Sequence, residues 1–371
     1  MFERGDHDGG AVLEGFEHLL GRRPLLANGE RVALDHRQVD EAHFSCHPLS
    51  LSGPPPSNDA GNCQFTTLQA AGGGFARKFR PLVFPQTFRR AFPWILRAWW
   101  AALPFTAGPA FADALHTSDT AVRTVASVGL WAGWGVGLAA TLVAHPISLT
   151  ALRVLAPAAV VAAVVAAVGG NTSVPAVAWT AVGAALALAP DTGMLCVNGP
   201  AYPNERRFPL RAPAPLLIGP VEVAWALSVA GVVTGPLLLA DSRWIVGAIL
   251  TAVGLPVASL LLRSLHQLSK RWAVFVPAGI VLVDPLGLMD SVLLRRQQVR
   301  SLHAAPAESR ALDLTQRAPG LALEATLTEE VDVVLVRPGR RQGEAARASA
   351  LLFTPTLPGA LLEEAGGRHL G

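Results

Sequence analysis

The ionisable residue most out of keeping with its neighbours is Glu222, a carboxylate seven residues into an otherwise apolar run that starts at Pro215. A charge inside a membrane segment is costly, so it faces protein or water, and often marks an ion or proton path. Arg153 opens another apolar run at matching depth near the cytoplasmic face, and Glu222 is expected either to meet Arg153 as a structural ion pair or to snorkel to the interface. The competing chemistry is that of a small transporter or channel-like protein with Glu222 as its charged group. Transporters carry several polar groups and broken helices. Here Thr141, Thr180, Ser228 and Thr234 are nearly all that the central runs add, which weakens that reading. Asp191 with Glu205 is the one acid pair that an enzyme of envelope lipids could use. His43, Cys46, His47 and Cys63 are residue types that bind zinc, yet their spacing fits no zinc pattern. P-loop, G-x-S-x-G, H-E-x-x-H and C-x-x-C sequences are missing. No catalytic, cofactor-binding or metal residue is therefore expected, and no cofactor.

These groups sit in a chain of 371 residues, 51% hydrophobic and 15% charged, with mean hydropathy +0.38. Soluble domains average about 25% charged residues. The net charge of +3 comes from scattered arginines, not from one basic stripe, which argues against nucleic acid as a partner. Three cysteines cannot build a disulfide framework. The composition is that of a membrane protein.

A membrane span needs about 20 predominantly apolar residues. From Val154 to Pro190 there are 37 residues without Asp, Glu, Lys or Arg, broken by Gly169-Gly-Asn-Thr-Ser173. Spans are expected near 124–143, 150–168, 174–190, 215–239 and 244–262. A sixth, near 92–112, carries Arg97 and three prolines. Charge bias argues for it, because cytoplasmic loops collect Lys and Arg. Arg263, Lys270 and Arg271 follow the last span, Arg206, Arg207 and Arg211 fill an earlier loop, and Arg77, Lys78, Arg80, Arg89 and Arg90 precede the first. All three clusters fall on the cytoplasmic side only if 92–112 crosses. The expected topology is a helical bundle of about six spans in the plasma membrane, N- and C-termini cytoplasmic. Arg89–Ala112 also mimics a signal peptide with an A-x-A site. Within span two, Gly129, Gly133 and Gly137 have the spacing of a helix-packing seam.

Residues 1–74 hold ten acids, five arginines and a Ser-Gly-Pro-Pro-Pro-Ser stretch, the composition of disorder or of an extension upstream of the natural start. Residues 75–91 are a basic juxtamembrane segment. Residues 270–371 read as a small β-rich domain. Trp272–Val276 and Gly279–Asp284 form a hairpin about Pro277-Ala278, and strand-like runs follow at 292–296, 299–304, 311–315, 321–326 and 331–337. Thr356-Leu-Pro358 opens a short helix over 359–365 that stops at Gly366-Gly367.

Arg271-Trp-Ala-Val-Phe-Val-Pro-Ala-Gly-Ile-Val-Leu-Val-Asp284, then Leu293-Leu-Arg-Arg-Gln-Gln-Val-Arg-Ser-Leu302, resembles the opening strands of bacterial pleckstrin-homology (PH)-like domains. Phe353-Thr-Pro-Thr-Leu-Pro-Gly-Ala-Leu-Leu-Glu-Glu364 resembles their C-terminal helix. The six-span region resembles uncharacterised multi-pass membrane proteins of high-GC Gram-positive bacteria that carry such a domain. The resemblance implies a PH-like barrel with a closing helix, presented in the cytoplasm for protein or lipid contacts. Arg337, Arg340 and Arg341 form a basic loop on it, a candidate contact for anionic lipid headgroups. Expected partners are thus the bilayer, a cytoplasmic protein or anionic lipid.

Overall fold

The computed structural model describes residues 86–169, 174–337 and 342–370. The expectations for residues 1–74 and most of 75–91, and the set His43, Cys46, His47 and Cys63, lie outside the described residues.

The first apolar segment is broken into three helices, α1 (Gln86–Ala101), α2 (Leu103–Thr106) and α3 (Gly108–Leu115). Pro104 and Pro109 stand at the starts of α2 and α3, where a missing N–H is tolerated. α1 is tied to its neighbours by reciprocal tryptophan contacts. Trp99 stacks on Trp179 with centroids 3.7 Å apart, and each indole N–H donates to the other's backbone carbonyl, at 3.1 and 3.4 Å. Trp100 and Trp134 make the same exchange at 2.9 and 3.1 Å. Arg97 does not disturb this packing, because its Nε donates to the carbonyl of Thr141 at 3.1 Å. A cation beside the open carbonyls of a helix C-terminus is favourably placed.

Four helical stretches are long and apolar enough to cross a membrane. They are α4 (Thr120–Leu142), α5 (Pro146–Val168), α8 (Ala214–Leu217) continued by α9 (Pro220–Ala240), and α10 (Trp244–Leu268). α6 (Val174–Leu188) and α7 (Pro190–Asn198) are bent by 53° and make a fifth if they count as one span. Pro190 opens α7 and cannot donate back into α6. The hydroxyl of Thr192 donates instead to the carbonyl of Leu186 at 2.6 Å. Many large apolar side chains point away from the protein, among them Val165 (65% exposed) and Ile249 (57%), as lipid-facing residues do.

Two four-stranded sheets follow the bundle, and neither is closed into a barrel. The first has the order β1-β2-β3-β4, from β1 (Arg206–Pro209), β2 (Trp272–Val276), β3 (Gly279–Val283) and β4 (Val292–Arg295). The second has the order β5-β7-β8-β6, from β5 (Val299–Ala304), β6 (Leu312–Asp313), β7 (Leu323–Leu335) and β8 (Glu344–Phe353). β7 is one strand with a register shift between Thr326 and Val331, where two runs are expected from sequence. The closing helix α11 (Pro358–Gly367) buries Leu361 and Ala365 in a core shared with Phe275, Ile280, Leu294, Leu323, Leu351 and Phe353.

β1 is the unexpected strand. It lies in the loop between α7 and α8, yet it pairs antiparallel with β2, Arg206 opposite Phe275 and Pro209 opposite Trp272. Phe208 joins the β-rich core and meets Phe275 edge to face at 5.6 Å.

Candidate functional site: the junction of bundle and sheet

Both edges of β1 are occupied. On one side stands β2. On the other, the Asn198 carboxamide at the end of α7 acts as a strand neighbour. Its Oδ1 accepts from Arg207 N at 2.9 Å, and its Nδ2 donates to Arg207 O at 2.8 Å. The chain beyond β1 is clamped as well. Leu210 N donates to Arg271 O at 3.0 Å, Arg211 N to Thr354 O at 2.8 Å, and Thr356 N to Pro209 O at 2.9 Å. Just past α11, Arg368 pairs with Glu364 at 2.7 Å and donates through Nη1 to Asn204 O at 3.1 Å.

Arg271 and Asp284 lock the base of the β2–β3 hairpin. Arg271 Nε donates to Asp284 Oδ1 at 2.7 Å and Nη2 to Oδ2 at 2.6 Å, a two-point contact. Both residues are buried. The remaining Nη1 donates to the carbonyl of Arg211 at 2.9 Å, so the pair also holds the strand contributed by the bundle loop.

Beside this clamp lies a cleft of about 680 Å³, lined by α1 (Phe92, Pro93), α7 (Asp191, Met194, Leu195), β1 (Arg206, Phe208) and α11 (Ala360, Glu363, Glu364) with its C-cap Arg368. Arg368 is neutralised by Glu364. Among the described residues, Arg206, Asp191 and Glu363 form no ion pair. A concave site with an apolar wall and a few convergent polar groups is the usual form of a ligand pocket.

The residues singled out from sequence fall as follows. Glu222 is exposed in the first turn of α9, and its Oε2 accepts from the backbone N–H of Gly219 at 2.8 Å. It caps its own helix, and no ion pair joins it to Arg153. Among the glycines, a side chain at Gly137 would strike the Trp100 ring, Gly133 has only Leu155 at 3.9 Å, and Gly129 has nothing within 4 Å. Helices α9 and α10 also approach closely, where a Cβ on Gly231 or on Gly254 would lie 2.7 Å from the other's carbonyl oxygen and one on Gly235 would lie 2.6 Å from Thr251 N. Sequence reading passed over it, although Gly231 and Gly235 have the same four-residue spacing. Arg337 is exposed and paired with Glu344 at 2.6 Å, which holds its pKa above the usual arginine value. Arg340 and Arg341 lie outside the described residues. Asp191 lines the cleft, whereas Glu205 is paired with Arg207 at 3.0 Å, so the two acids do not form a joint site. The described residues contain no group of His, Cys, Asp and Glu suited to a metal ion.

The fold and site define a helical bundle, with four or five stretches long and apolar enough to cross a membrane, and a β-rich region built onto its loops. Compared with protein-family models, curated proteins and solved structures, the chain finds no match.

Proposed function

We infer that this is a six-span plasma-membrane protein that holds a PH-like domain at the cytoplasmic face for protein or lipid contacts, and acts by binding, without bond chemistry. The observation that carries this reading is the pairing of β1 with β2. A strand from the α7–α8 loop and the region after α10 must lie on one side of the membrane to share a sheet. The basic residues on both segments favour the cytoplasmic side.

Support for the sixth span comes from the two ends of α1–α3. Phe92 and Pro93 line the cleft with Ala144 and Asp191, at the end of the bundle nearest the sheets. Ala107 and Ala110 pack with Ala176, at the start of α6. Support for the PH-like reading is the succession of two antiparallel sheets and one closing helix with Leu361 in the core.

The test uses a chain in which Cys46, Cys63 and Cys196 are replaced. Ser242→Cys, in the α9–α10 turn, is expected to react with an impermeant maleimide in intact cells, and Ala307→Cys only after lysis. A photo-crosslinker at position 367, a glycine that lines the cleft with open space around it, is expected to trap a lipid or protein in living cells. Labelling at 307 from outside would overturn the orientation, and a crosslinker that traps nothing would overturn the binding reading.

A further inference from the structure

We propose that the junction cleft binds the headgroup of a membrane phospholipid bearing a primary ammonium, of the phosphatidylethanolamine class. The inference rests on the binding reading above and names its ligand.

Three properties of the cleft lead to this chemistry. Its position comes first: Phe92 and Pro93 of α1, Ala144 between α4 and α5, and Asp191 at the start of α7 all lie at one end of the apolar helices. That level of a membrane protein meets the headgroup layer. Its size comes second, since about 680 Å³ lies within the roughly 300–1,000 Å³ of small-ligand sites. Its charge comes third. Two arginines and three carboxylates line it, and the Arg368–Glu364 pair cancels itself. One cation, Arg206, and two anions, Asp191 and Glu363, are left for a ligand.

That remainder is net negative, so a purely anionic headgroup meets more repulsion than attraction. A zwitterion with a phosphodiester and an ammonium fits both signs. Arg206 matches phosphate oxygens through its planar fork. Asp191 and Glu363 can only accept, and an ammonium supplies three N–H donors. A trimethylammonium carries the same charge but no donor, so choline headgroups lose those hydrogen bonds. Phe92, Pro93, Leu195 and Phe208 supply the apolar wall for the glycerol and upper acyl carbons.

The experiment uses the full chain in nanodiscs holding equal fractions of phosphatidylethanolamine, phosphatidylcholine and phosphatidylglycerol. Lipid retained after mild delipidation is counted by native mass spectrometry. About one phosphatidylethanolamine per chain is expected, at least tenfold over phosphatidylcholine. Arg206→Gln and Asp191→Asn should each reduce that retention about tenfold, as loss of a charged hydrogen bond does. Glu363→Gln, on the exposed face of α11, should do the same with the fold intact, as checked by an unchanged Tm. Soluble glycerophosphoethanolamine should compete only weakly, because it lacks the acyl contacts; strong competition would replace the lipid by a free zwitterion. Equal retention of the ethanolamine and choline lipids, or retention indifferent to all three variants, would overturn the proposal, as would a protein crosslinked in place of lipid at position 367. The maleimide test of orientation is independent of these outcomes, so the wider reading can stand if the lipid assignment fails.

Discussion

Arg271 and Asp284 face each other at the open end of the β2–β3 hairpin, joined by hydrogen bonds of 2.7 and 2.6 Å and closed off from solvent. The third donor of the same guanidinium reaches Arg211 O, one residue beyond the bridge of Leu210 to Pro355. One ion pair therefore fastens both the hairpin of the β-rich region and the loop that arrives from the helical bundle.

Removing one member strands the other charge in the core. Arg271→Met or Asp284→Asn is expected to destabilise the β-rich region by about 3–5 kcal/mol. The double replacement Arg271→Met with Asp284→Leu should recover much of that loss, because a buried pair stabilises little over apolar residues of similar volume. Thermal unfolding of the full chain in detergent measures the difference. Equal losses in the single and double variants would contradict this account.

A fragment of residues 268–371 lacks β1. Its β2 edge then presents unpaired backbone groups, a template for association, and Phe208 is missing from the core. The fragment is expected to self-associate in size-exclusion chromatography, and appending residues 204–211 through a flexible linker should restore a monomer. In the full chain, Phe208→Ala should cost about 3–5 kcal/mol.

The three glycines of α4 should respond unequally. Gly137→Leu drives a side chain into Trp100 and should lower stability by about 1–3 kcal/mol. Gly129→Leu meets open space and should leave the Tm of the solubilised protein within error. Gly254→Leu, against the backbone of Gly231, should disrupt the α9–α10 pair. A uniform response of Gly129 and Gly137 would mean that the seam faces another molecule.

Much of the chain was legible in its sequence. The apolar runs expected at 150–168 and 244–262 lie within α5 and α10, and the one at 124–143 overruns the end of α4 by one residue. The hairpin about Pro277-Ala278 has the expected strands, and its register of Trp272 with Val283 and Val276 with Gly279 already sets position 271 opposite 284. From sequence alone Arg271 nevertheless counts as a topological charge, because an arginine after a membrane span has a sufficient reason to be there. β1 was missed for a physical reason: four residues, two arginines and a proline show no strand period, and the strand exists only because β2 offers an edge. β8 went unassigned because Glu-Ala-Ala-Arg favours helix, and its pairing with β7 overrides that preference. Glu222 was legible as an unusual acid but not as a cap, since hydropathy does not reveal that the helix begins at Pro220. The cleft joins α1, the consecutive α7 and β1, and α11, three segments far apart in the chain, and no local spacing announces it.

The central claim is that the α7–α8 loop supplies a strand to the C-terminal sheet. Arg207 stands opposite Val274, and its own N–H and C=O are engaged by Asn198. This makes 207 and 274 a non-hydrogen-bonded pair, with Cα atoms about 4.5 Å apart, within disulfide reach. In a chain freed of Cys46, Cys63 and Cys196, Arg207→Cys with Val274→Cys should crosslink almost completely when native membranes are oxidised. Proteolysis between the two sites reads it, the halves staying together until reduction. Arg207→Cys with Val283→Cys, two strands away, should not crosslink. Halves that separate without reductant in the 207–274 variant would contradict the account.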